Sequence, residues 1–191
     1  MAAQVDIANL ALLRLGSMPI ESMDENSKRA IALKKNFDLV RDIVLRAHPW
    51  NFALTRATLA RLSAAPLFGF AYTYQLPPDR LRILGMVNSA GKLDPTISYS
   101  IEGDKLLTDE ASARIRYIRR VTEAGGFDEA FASALASRLA AEVAYHITGA
   151  AAMKKQMMDE YQAELMAARS IDAQENPPEV FETNEWMDAR I

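Results

Sequence analysis

The chain has 191 residues, half of them apolar, a formal net charge of −3 and no cysteine. That length and apolar content suit one domain, or one domain with a small subdomain and a tail. No apolar run approaches the roughly eighteen residues that would span a membrane. The missing cysteines exclude a disulfide framework, a thiolate metal site and a cysteine nucleophile, and the mild acidity argues against a dedicated nucleic-acid binder. The start, Met1 to Asp6, lacks a basic region followed by an apolar stretch, so no secretory leader is expected.

The Ala- and Leu-rich segment from Gln4 to Leu15 stops at Gly16 and predicts a first helix. Asp24 or Ser27 can cap a second. Its stripe Leu33, Phe37, Val40, Val44 and Ala47 is spaced as the core face of an amphipathic helix, and His48-Pro49 ends it. From Trp50 to Val121 the period changes to two. Leu81 and Ile83 alternate with Arg80 and Arg82, and Ile97, Tyr99 and Ile101 with Ser98 and Ser100. Ala113, Ile115 and Tyr117 alternate with Arg114 and Arg116. Glu102-Gly103-Asp104-Lys105 reads as a hairpin turn leading into Leu106-Leu107. A small antiparallel sheet is expected here, its arginines on the wet or partner-facing side.

Helical period returns after Gly125-Gly126. Phe127, Phe131, Leu135, Leu139, Val143 and Ile147 recur every four residues up to Gly149, and Met153, Met157, Tyr161, Leu165 and Ala168 continue the pattern. The pair predicts a helical hairpin packed on the N-terminal helices. The pattern fades at about Asp172, before the breaker Asn176-Pro177-Pro178. The expected fold is α+β, mainly α: an antiparallel helical bundle with a small inserted antiparallel β-sheet and an extended C-terminal tail. The parts are an N-terminal helical pair (1–49), a β-rich insertion (50–121), a C-terminal helical hairpin (122–172) and an acidic tail (173–191).

Chemistry finds little support. His48 and His146 are far apart and neither has a histidine or carboxylate at ligand spacing, so no metal site is expected. No G-x-S-x-G context supports a catalytic triad, and Gly125-Gly126 lacks a P-loop lysine or a G-x-G-x-x-G pattern. Asp109-Glu110 and Asp128-Glu129 read as turn and first-turn helix residues. No catalytic, cofactor-binding or metal-binding residue is assigned. The methionines Met153, Met157, Met158 and Met166 read as core rather than as an adaptable binding face.

Binding features are better represented. Arg114, Arg116, Arg119 and Arg120 form a basic block that can track phosphates, pair with acidic side chains of a neighbouring copy, or simply face water. Trp50 and Phe52 read as anchors where helix gives way to sheet. In the tail, Val180, Phe181, Trp186 and Met187 are large apolar residues spaced along a polar segment, the pattern of an anchoring peptide.

The order of these parts resembles the tail tubular protein A family, the head-to-tail adaptors of short-tailed bacteriophages and related prophages. The resemblance covers most of the chain. It rests on Ala8 to Leu15 with Gly16-Ser17, Arg41-Asp42, Pro49-Trp50, Phe52-Ala53 and Arg56. It continues through Tyr72, Tyr74, Leu76-Pro77, Asp79, Leu81-Arg82, Ile101-Glu102-Gly103 and Leu106-Leu107-Thr108. Tyr117-Ile118, Phe127-Asp128, Phe131, the helix Leu135 to Thr148, Tyr161 and Leu165 complete it. The stretch Ala64 to Ala71 is not distinctive, and the tail matches only loosely through Trp186 and Arg190.

The resemblance implies a non-enzymatic virion protein of the tail connector, assembled in the host bacterial cytoplasm. About twelve copies would form a ring between the portal protein and the tail nozzle protein, enclosing part of the channel for DNA ejection. Double-stranded DNA would pass without being read. On this view Val180, Phe181, Trp186, Met187 and Arg190 bind the portal or a neighbouring subunit. Arg41, Asp42, Pro49, Trp50, Phe52, Tyr72, Tyr74, Pro77 and Asp79 are structural anchors. The alternative is a nucleic-acid-associated protein using Arg114 to Arg120.

Overall fold

The computed structural model describes residues 3–175. Helix α1 (Gln4–Arg14) ends in a Schellman closure. The N–H of Ser17 reaches the carbonyl of Leu12 and that of Gly16 the carbonyl of Leu13, both at 3.0 Å, while Gly16 takes φ 65°. Helix α2 (Lys28–Ala47) is capped by Ser27, whose hydroxyl accepts the N–H of Ala30. The other candidate cap, Asp24, instead pairs with Lys34. His48 leaves the helix in an extended conformation, as Pro49 requires.

After a short 3₁₀ turn (Asn51–Ala53) come β1 (Leu54–Thr58), β2 (Ala60–Arg61), β3 (Tyr72–Gln75), β4 (Arg80–Met86), β5 (Tyr99–Glu102), β6 (Lys105–Thr108) and β7 (Arg114–Arg119). They form two antiparallel sheets rather than one, ordered β1-β7-β4 and β2-β3-β6-β5. The division falls inside a run that reads as continuous. At Leu59, whose N–H bonds the carbonyl of Ala113, the chain leaves the first sheet. At Leu62, bonded to Thr73, it is already in the second. A period of two tells which side chains share a face, not which strand lies alongside, so the switch has no signature in the pattern. The β5–β6 hairpin turns where expected, with Glu102 opposite Lys105 and Gly103 at φ 61°.

Helix α3 (Glu129–Thr148) starts on Asp128, whose carboxylate accepts the N–H groups of Ala130 and Phe131, and closes on Gly149 at φ 69°. Helix α4 (Ala151–Glu175) runs back along it. Phe131, Leu135, Leu139, Val143, Met157, Tyr161, Leu165 and Ala168 are buried as the spacing predicts, whereas Met166 points into solvent. The fold is α+β and mainly α, a four-helix body carrying two small antiparallel sheets.

Two cores result. One joins the helices to Trp50, Ala53, Ile118 and Val121. The other lies between the sheets and contains Leu59, Tyr74, Leu76, Met86, Leu106, Ala113, Ile115 and Tyr117. Strand β7 therefore serves both, with Ile115 and Tyr117 in the inter-sheet core and Ile118 in the helical one. Inside the bundle, Arg14 of α1 is the polar hub. Its guanidinium bonds both carboxylate oxygens of Glu164 (2.7 and 3.1 Å), the Ser133 carbonyl (2.9 Å) and Ser137. One side chain thereby ties α1, α3 and α4 together, with its charge met by a bidentate carboxylate.

Candidate functional site

The helix-to-sheet corner is a structural joint. Trp50 is wholly buried, and its indole N–H donates to the carbonyl of Val44 at 3.0 Å. Its ring meets Phe131 edge-on at 5.1 Å, and Phe52 meets Phe131 at 5.0 Å. Phe127 completes the cluster at 4.9 Å from Phe131. Asp172 closes the corner from the other end of the chain. Its carboxylate accepts the N–H of Asn51 (2.9 Å) and lies 3.0 Å from Nε2 of His48, while its carbonyl accepts Asn51 Nδ2 at 2.7 Å. The carboxylate partner of His48 was invisible in sequence because it comes from 124 positions away.

The Arg41-Asp42 pair is also a joint. Arg41 is buried within α2 and bonds Asp38 (2.7 Å) and Asp42 (2.9 Å). The other oxygen of Asp42 accepts Nε of Arg120 at 2.8 Å, tying α2 to the end of β7. Asp79 accepts the hydroxyl of Tyr117 at 3.2 Å, and its carbonyl accepts the N–H of Arg120 at 2.7 Å. Burial holds the Tyr117 hydroxyl above its ordinary ionisation range, and the Asp79 charge adds to the effect. Tyr74 is buried as well, donating to the carbonyl of Glu110 at 2.6 Å. Tyr72 stacks beneath the Arg61 guanidinium at 3.9 Å. Pro77 starts the turn into β4, its carbonyl accepting from Arg80.

The structure divides the basic block. Arg120 is engaged with Asp42. Arg119 stands opposite Arg80, whereas Arg116 stands opposite Arg56, and Arg114 opposite Thr58. Paired residues share a face, so Arg56, Arg114 and Arg116 lie together, and Arg119 lies on the opposite face of β7. Arg82 joins the first group. It is opposite Ile118 on that same face, and its guanidinium approaches the carbonyl of Arg46 at 3.5 Å. Arg46 in turn bonds the carbonyl of Leu81 at 2.8 Å. Arg46, Arg56, Arg82 and Arg114 are exposed and form no ion pair among the described residues. Sequence reasoning missed Arg46 and Arg56 as members, because cross-strand register brings them in.

A second surface was missed altogether. The β2–β3 loop carries Leu67 and Phe68 at 97% and 86% exposure, beside a shallow cavity formed with Leu62, Thr73 and Leu107. The only signal in sequence was negative: from Leu62 to Tyr74 there is no charged residue. The predicted anchoring residues Val180, Phe181, Trp186, Met187 and Arg190 lie outside the described residues.

Among the described residues no group of three or more His, Asp or Glu side chains is placed to hold a metal ion. No described helix is long and apolar enough to cross a membrane. No family model matches the chain, and no curated protein matches it.

Proposed function

We propose that the chain is a non-enzymatic head-to-tail adaptor of a short-tailed phage or prophage, forming a ring between a portal protein and a nozzle protein around the DNA path. One observation carries this reading beside the sequence resemblance. The polar and aromatic residues on which the resemblance rests are internal joints: Asp42, Trp50 and Phe52 tie helices to the sheet region, Arg41 supports Asp42, and Tyr74 and Asp79 tie the sheet region together. They hold a helical body and a sheet arm at a set angle. The surfaces they leave free are a basic face and an apolar loop tip, which suit contacts with macromolecules better than turnover of a small molecule. Contacts between different patches of identical subunits close into a ring when the rotation permits.

The test is native mass of the purified chain, alone and mixed with the portal protein encoded beside it. The adaptor reading expects a monomer or loose oligomer that becomes a defined many-copy complex on the portal. No association across concentration and salt would remove it.

A second reading has its own support in the arginine face. Arg46, Arg56, Arg82 and Arg114, exposed and with no ion pair among the described residues, could track a phosphate backbone. It expects duplex binding that weakens steeply with salt and loses about one unit of salt slope per arginine removed.

A further inference from the structure

Strand β4 is an edge of the β1-β7-β4 sheet and β5 an edge of the other. Between these edges and the end of α2, Arg46, Arg80, Leu81, Arg82, Ile83 and Ile101 line an open notch of about 430 Å³. Three of the six are arginines and none is acidic. The β4–β7 register shifts between Arg80 and Arg82, so that Arg80 stands opposite Arg119 and Arg82 opposite Ile118. Residues two apart in a regular strand share a face, and the extra residue of the bulge sends these two to opposite sides. Arg82 accordingly approaches the carbonyl of Arg46, on the helix side, at 3.5 Å. Arg80 reaches the carbonyl of Gly103, in the second sheet, at 2.7 Å. One strand edge thus carries a guanidinium on each side, with Arg46 as the third.

Backbone carbonyls hold these groups in place. Arg46 Nη1 donates to Leu81 at 2.8 Å, and Arg80 Nη1 donates to Pro77 at 3.2 Å. A guanidinium has five N–H donors, so most of them stay available while the plane is fixed. The acidic groups of the neighbourhood are engaged elsewhere. Asp79 accepts from Tyr117, Asp104 from Gln75, and Asp42 from Arg41 and Arg120. Arg46, Arg80 and Arg82 form no ion pair among the described residues. Like charges directly opposite in a ladder, as at Arg80 and Arg119, weaken a sheet. Local conflicts of that kind gather at functional sites, where a ligand relieves them.

We propose that this notch binds the diphosphate group of a small molecule, with Arg46, Arg80 and Arg82 donating to its oxygens and Leu81, Ile83 and Ile101 as the floor. Guanidinium forks match phosphate oxygens, and two linked phosphates carry the charge that three arginines balance. The apolar floor keeps water from one side and strengthens the attraction. The three arginines meet in one notch of small-ligand size instead of running in line, which favours a compact ligand over a strand of phosphates. The site stands apart from the adaptor reading, and failure to bind a portal leaves it intact. It also differs from the duplex reading, in which Arg46 and Arg82 are points along a track.

Calorimetric titration of the full chain with inorganic diphosphate, in metal-free buffer at physiological salt, tests the site. Expected is saturable binding of one diphosphate per chain, with inorganic phosphate and citrate each weaker by about tenfold, the worth of one charge-assisted hydrogen bond. Arg82 has a single long carbonyl contact, so R82Q should keep the thermal midpoint and lower diphosphate affinity by about tenfold or more. The control K154Q/K155Q removes two exposed lysines that lie about 25 Å along α4 from Asp172, and it should change affinity by less than about twofold. Absence of saturable binding, citrate binding as tightly as diphosphate, or an equal loss in K154Q/K155Q overturns the proposal.

A second measurement needs no substitution. Phenylglyoxal modifies accessible arginines, and peptide masses report which ones have reacted. Diphosphate should slow modification of Arg46, Arg80 and Arg82 several-fold while Arg56 and Arg114 react as before. Protection spread evenly over all these arginines, or none at the notch, overturns the site. A random duplex at equal phosphate concentration should leave the diphosphate bound; full displacement assigns the notch to the duplex track and overturns it as well.

Discussion

Asp172 and Asn51, 121 positions apart, are joined twice: the Asp172 carboxylate accepts the backbone N–H of Asn51 at 2.9 Å, and its carbonyl accepts the side-chain amide at 2.7 Å. With His48 3.0 Å from the second carboxylate oxygen, the end of α4 is clamped to the turn between α2 and β1. Replacing Asp172 by Ala leaves a half-buried N–H without its acceptor, at a cost of about 1–3 kcal/mol. Asp172→Asn keeps one acceptor oxygen and should cost less. Urea unfolding followed by circular dichroism gives both values, and a loss under about 0.5 kcal/mol for the Ala variant would show that the clamp contributes little.

Trp50 stands at the centre of the same corner, wholly buried, with its N–H on the Val44 carbonyl. Trp50→Ala should destabilise by about 3–5 kcal/mol, through lost burial and the cavity left between α2, α3 and β1. Trp50→Phe retains the ring contact with Phe131 but orphans the carbonyl, for a smaller loss of about 1–2 kcal/mol. Thermal unfolding of the three proteins ranks them. A Trp50→Ala midpoint equal to that of the parent would contradict the packing described.

Leu67 and Phe68 have almost no contact with the rest of the molecule to lose. The double substitution L67S/F68S should therefore leave stability within about 0.5 kcal/mol. If the loop tip is a contact surface of the proposed ring, the variant should stay monomeric where the parent assembles on the portal. Normal assembly would move the contact elsewhere.

Three tyrosines give the fold a limit on the alkaline side. Tyr74, Tyr117 and Tyr161 are each held above the ordinary value of 10.0, with burial the largest cause. A raised folded pKa means that the unfolded chain releases these protons first. The contribution is fully present below about pH 10 and is lost as pH rises from there through the folded values. Absorbance at 295 nm should show these phenols ionising together with loss of circular dichroism. Ionisation near pH 10 with the fold intact would contradict their burial.

Much of the fold was legible because helices and hairpins are specified locally. The Gly16 and Gly149 stops, the spacing of Leu33 to Ala47 and of Phe131 to Val143, and the Gly103 turn are all found as expected. Helix α4 passes the point where its pattern fades and is described to Glu175; Asp172 is buried with hydrogen bonds to Asn51, which hydropathy does not register. The candidate surfaces were less legible. Two of four residues in the arginine block keep company on β7, while Arg56, Arg82 and Arg46 enter through strand register and a helix neighbour.

The sequence by itself determined the class of the fold and the order of its helical and strand-rich parts, since these follow from periodicity, capping and residue type. Only the tertiary structure decided that the strands divide into two sheets, that Asp172 belongs to the corner at His48 and Asn51, and which arginines share a face. The physical reason is the same in each case. A partner well removed in sequence is chosen by the global minimum of packing and charge pairing, and no local run of residues carries that choice.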